Sequence, residues 1–66
     1  MKPNMDIRMA IGGAGLTQWQ VAEAYGLSES NFSRIMRKEM SSETKTKVYD
    51  AIKKASEQYG HQQSNN

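Results

Sequence analysis

The stretch 16–35, LTQWQVAEAYGLSESNFSRI, constrains the fold of this chain more than any other part of it. Two helix starts lie here, separated by a helix stop. Thr17 is placed to cap a first helix, and Gln20 three residues on completes a T-x-x-Q capping box. Leu16 before that cap can staple to Val21 at the fourth helical position. Ser28 repeats the arrangement for a second helix, with Glu29 at the positive end of the dipole and Leu27 facing Phe32. Between them Gly26 falls where the first helix must end in a left-handed residue, which glycine adopts without steric cost. Two short helices joined by a tight turn follow from these caps alone.

The same residues resemble the DNA-binding helix-turn-helix of the phage repressor and Cro-like (Xre-type) family. That unit has a small residue fifth, glycine ninth, and apolar residues fourth, tenth, fifteenth and eighteenth. Counted from Gln18, those places hold Ala22, Gly26, Val21, Leu27, Phe32 and Ile35. Each has a physical reason: Ala22 is small where the second helix crosses, Gly26 makes the turn, and the apolar four lock the helices at a steep angle. Several relatives hold a buried Arg–Glu pair between the first helix of the domain and the end of the recognition helix. The matching places here are Ile11 and Met36, both apolar, a joint replacement that can be neutral or stabilising.

The second helix of the motif is expected over 28–38. At 100° per residue, Phe32, Ile35, Met36 and Glu39 fall on one side and Ser30, Arg34 and Arg37 on the other, flanked by Asn31, Ser33 and Lys38. The face opposite the core therefore carries Ser, Asn and Arg, side chains able to pair with base edges and phosphates. The resemblance implies that the N-terminal residues of this helix and its next turn enter the major groove. On that carry-over Ser28, Glu29, Ser30, Asn31 and Arg34 are the candidate base readers. Glu29 could accept from a cytosine amino group or merely support the helix dipole. Thr17, Gln18, Ser33, Arg37, Lys38 and Lys45 are the candidate backbone contacts, with Gln18 at a helix N-terminus where phosphate binds readily.

Sixty-six residues allow one domain with a thin core, which favours helix packing over a sheet. The expected architecture is an all-α, compact four-helix domain over residues 4–60, with disordered ends at 1–3 and 61–66. The formal charge of +2 is mild, but Arg34, Arg37, Lys38, Lys45 and Lys47 cluster against only Glu39 and Glu43. Such a cluster beside a recognition helix suits a polyanion. Absence of cysteine leaves no disulfide framework or thiolate metal site and fits a reducing cytoplasm. There is no apolar run of about 20 residues and no secretory signal, so the expected location is the bacterial cytoplasm or nucleoid.

In chain order, Asn4 is expected to cap a first helix with Asp6 in its first turn and Ile7 and Ile11 on one face. Gly12 and Gly13 each cost about 0.5–1 kcal/mol inside a helix. Either the helix frays early or the glycines permit close packing, and Gly15 is the natural terminator. IGGAGL is a poor phosphate loop, because no Lys-Ser or Lys-Thr follows and no strand precedes it. Trp19 either covers the apolar edge of a neighbouring helix or contacts DNA or a partner. Ser42 is expected to cap a last helix whose stripe Val48, Ile52, Ala55 and Tyr59 closes the core against the first and third helices. Tyr49 and Tyr59 lie late enough to serve a dimer contact instead. Gly60 is expected to end that helix, and His61 in the tail has no ligand partners nearby.

An enzyme has little to stand on here: one tail histidine, no cysteine, no cofactor motif and too little volume for a cleft. The expected function is sequence-specific binding of double-stranded DNA, as a homodimer, by a small transcriptional regulator of a phage or mobile element. No membrane or small-molecule substrate is implied. One alternative is an accessory DNA-binding factor for plasmid transfer, segregation or recombination. The other is a protein-interaction module on the same fold, using Trp19 and the tyrosines.

Overall fold

Four helices and no strand make up the described residues: α1 (Met5–Gly13), α2 (Gln18–Tyr25), α3 (Glu29–Met36) and α4 (Ser42–Ser64). The computed structural model describes the backbone of residues 2–64 and the side chains of residues 2–59. All-α four-helix architecture is what the caps and the chain length lead one to expect.

The turns form by short-range chemistry. Thr17 and Gln20 make the capping box, with the Thr17 amide donating to Gln20 Oε1 at 2.8 Å. Ser28 Oγ accepts the Asn31 amide at 3.3 Å. Both helix stops use one device. The Leu16 amide donates to the Ile11 carbonyl and that of Gly15 to Gly12, while Leu27 donates to Ala22 and Gly26 to Glu23. This is the Schellman pattern, and the glycine of each turn is left-handed, with φ 72° at Gly15 and 98° at Gly26. The helix thus runs through Gly12 and Gly13 rather than fraying before them. A methyl group added at either glycine would meet nothing within 4 Å, so close packing within the chain does not account for them.

Ile7, Ile11, Leu16, Val21, Ala22, Phe32, Met36, Met40, Val48, Ala51, Ile52 and Ala55 form one buried cluster, so every helix contributes to a single core. Phe32 and Val48 are fully buried, and truncating a buried Phe to Ala costs about 3–5 kcal/mol. Ile11 and Met36, the places of the Arg–Glu pair in the resembled family, are both buried apolar residues here. The α4 stripe closes chiefly on α2 and then on α1, not on α1 and α3 as expected. Tyr59 is held within this packing: its ring meets Trp19 edge-on at 5.9 Å and its hydroxyl donates to Glu23 Oε1. The Glu23 carboxylate raises the Tyr59 phenol above its ordinary pKa. Tyr49 stays exposed.

Three boundaries differ from expectation. Ser41, not Ser42, caps α4, its Oγ accepting the Thr44 amide at 3.2 Å. α3 ends at Met36 rather than at residue 38. α4 continues past Gly60 to Ser64, so residues 61–64 have helical backbone instead of forming a loose tail, and residues 65–66 lie outside the described residues. The side chain of His61 is likewise outside them.

The largest correction concerns Asn4. It stands at the N-cap position of α1, and its carbonyl accepts the Arg8 amide at 2.9 Å, but its side chain caps nothing in α1. The side chain is fully buried and crosses to the end of α3. Asn4 Nδ2 donates to the carbonyls of Met36 at 3.1 Å and Lys38 at 2.7 Å, and Oδ1 accepts the Met40 amide at 2.8 Å. Its own amide donates to Glu39 Oε1 at 2.8 Å. The residue adopts φ 60°, a left-handed conformation that asparagine tolerates better than most. Neighbouring Pro3 is tied down too, its carbonyl accepting Arg8 Nε at 3.1 Å, so of the expected disordered lead only Met1 lies outside the described residues.

Candidate nucleic-acid interface

α3 presents two unlike faces because its apolar residues recur at helical spacing. Phe32 and Met36 are buried, Ile35 packs against them, and Phe32 meets the Tyr25 ring at 6.0 Å. On the outside, Ser28, Glu29, Ser30, Asn31, Arg34, Arg37 and Lys38 are all exposed, and Ser33 is half-buried at the edge. The five candidate base readers are therefore all open to solvent at the start and middle of the helix. Ser28 divides its duty: its oxygen accepts the Asn31 amide, which leaves the hydroxyl proton free to donate.

Charge sharpens this face. Among the described residues no ion pair or side-chain hydrogen bond engages Arg34, Arg37 or Lys38. A guanidinium left in water without a carboxylate partner keeps its planar fork for bidentate pairing with an outside acceptor. Lys45, a candidate backbone contact, is different. Its Nζ is 3.0 Å from Asp6 Oδ2 and also bonds Glu39 Oε2. The paired carboxylates raise the Lys45 pKa, and the ammonium holds both carboxyls below their ordinary range. With two anions on one cation, this corner has no positive charge left to offer a phosphate. Lys45 therefore belongs to the domain's internal clamp.

Of the remaining candidates, Thr17 is exposed with its amide already held by Gln20. Gln18 is half-buried at the start of α2, where it lines a small open cavity of about 180 Å³ with Arg8, Ile11 and Met36. The cavity brings Gln18 beside Arg8, whose Nη2 also lies 3.4 Å from the Met36 carbonyl. Arg8, and the true role of Asn4, are what sequence reasoning missed. Both act on the C-terminal end of α3 from about thirty residues away, and nothing local to either announces that partner.

No group of three or more His, Cys, Asp or Glu among the described residues is placed to hold a metal ion. No helix among them is long and apolar enough to cross a membrane. Compared with known proteins, the chain matches no family model, no curated protein and no solved structure.

Proposed function

We propose that this chain binds double-stranded DNA sequence-specifically, laying α3 in the major groove, as a small transcriptional regulator of a phage or mobile element. One observation carries the proposal. α3 is buried on one side through Phe32 and Met36, while its other side sets Ser30, Asn31, Arg34 and Arg37 toward solvent, both arginines unpaired among the described residues. That side carries the donors and acceptors able to pair with base edges and phosphates. Base reading falls to Ser28, Glu29, Ser30, Asn31 and Arg34. Phosphate contacts fall to Arg37, Lys38, Ser33 and the Thr17–Gln18 end of α2, and they supply most of the affinity and its salt dependence. The domain acts by binding rather than catalysis, in the cytoplasm or nucleoid, and a homodimer would offer α3 to two half-sites about one helical turn apart.

The accessory-factor alternative uses the same helix and differs only in the symmetry of its sites. The protein-interaction alternative loses Tyr59, whose ring and hydroxyl are engaged by Trp19 and Glu23, and would rest on Trp19 and Tyr49, which stay exposed. Two substitutions test the orientation of α3. Arg34→Ala is expected to lower specific binding by about 1–3 kcal/mol and to relax the preference at one base position. Arg37→Ala is expected to weaken binding to all duplexes alike and to reduce the salt slope by about 1. Unchanged binding by Arg34→Ala would overturn the orientation.

A further inference from the structure

We infer that Asn4 is a positioning residue for DNA reading: it sets the pose of the C-terminal end of α3, and with it the placement of Arg37 and Lys38. The inference rests on the proposed role of α3 and names a residue that never touches the DNA.

A helix C-terminus leaves its last carbonyls without partners and carries partial negative charge. Asn4 removes the difficulty from a distance, with Nδ2 on the carbonyls of Met36 and Lys38 and Oδ1 on the Met40 amide. Both amide hydrogens are used, and the side chain is wholly buried, so the arrangement admits one geometry. The two carbonyls it holds bracket Arg37, and the second belongs to Lys38. Glu39 completes the fixture by accepting the Asn4 amide while bonding Lys45, which reaches back to Asp6 in the first turn of α1. The start of α1, the end of α3 and the start of α4 are thereby fixed to one another. Ser28 fixes the other end of α3. Without Asn4 the helix would keep its base-reading start and lose the alignment of its phosphate-binding end.

The test must separate positioning from stability. Asn4→Gly removes every side-chain bond while suiting the left-handed backbone, and Val48→Ala thins the core elsewhere. Both variants are compared with the parent at a temperature where circular dichroism shows each fully folded. Asn4→Asp, which keeps the acceptor and loses both amide donors, stands in should Asn4→Gly not fold. Two readouts are taken: the salt slope of duplex binding, and amide hydrogen exchange at Arg37 and Met40, whose amides are hydrogen-bonded. Asn4→Gly is expected to lower the slope by about two, one for each phosphate that Arg37 and Lys38 no longer neutralise, and to speed exchange at those amides selectively. Val48→Ala is expected to change neither beyond its effect on global stability. Equal slopes and equal exchange in the two variants would overturn the inference. Faster exchange with an unchanged slope would also overturn it, leaving Asn4 a structural clamp. Failure of the parent to bind any duplex would sink the reading of α3 itself, a result distinct from either.

Discussion

The two ends of α3 are held in opposite ways. At its start Ser28 caps from the adjacent position, and bond and helix form together within three residues. At its finish the cap is Asn4, thirty-two residues away from the Met36 carbonyl, and it arrives only when the domain closes. A local cap is a property of the segment and survives most changes elsewhere. A distant cap is a property of the fold, and it ties the geometry of α3 to Asn4, at the start of α1. The start of α3, where the proposed base readers lie, is self-supporting, whereas its finish, where the proposed phosphate contacts lie, depends on the rest of the molecule.

Breaking the distant cap should have the larger effect. Asn4→Gly is expected to lower unfolding free energy by about 3 kcal/mol, because buried carbonyls and an amide lose their partners as well as the bonds themselves. Denaturant unfolding measures it, and a drop smaller than that of Ser28→Ala would break the comparison. Ser28→Ala should cost about 1 kcal/mol, the usual worth of an N-cap hydroxyl, and should fray only the first turn of α3.

How far these ends could be read from residues alone follows from the same distances. Thr17, Gly26 and Ser28 act on partners a few residues off, so the turn and the outward face of α3 were legible in sequence. Asn4 before a helix reads as that helix's own cap, because the residue type suits both jobs and the true partners are remote. Lys45 counted as free positive charge for a similar reason, since Asp6 lies thirty-nine residues away. The choice between Ser41 and Ser42 turned on one residue of register between identical side chains. Gly60 did not stop α4, since glycine weakens a helix without blocking it as proline would.

The smallest effects sharpen the comparison through pH. Asp6 and Glu39 are held below the ordinary carboxylate range by Lys45, so their contribution to stability is present above their unfolded pKa values. It is lost as pH falls through the lowered folded values, below about pH 4. Lys45 is raised, so its contribution is present below its unfolded value and disappears only as pH climbs past about 10.4. Lys45→Met should therefore flatten the acid limb of a stability–pH profile while leaving the Ser28 end of α3 untouched. An acid limb unchanged by that substitution would remove the ion pairs from the clamp. Because both carboxylates are solvent-exposed, the change should be smaller than either cap substitution.

The most direct test of the central claim is selection of binding sites from a random duplex pool at about 0.15 M salt. If α3 reads bases in the major groove, a defined half-site is enriched, and a homodimeric regulator yields an inverted repeat with half-sites about one helical turn apart. Enriched direct repeats would keep the base-reading claim and favour the array-forming accessory factor. No enrichment, with retention lost at modest salt, would contradict it and leave α3 with only nonspecific affinity for phosphate.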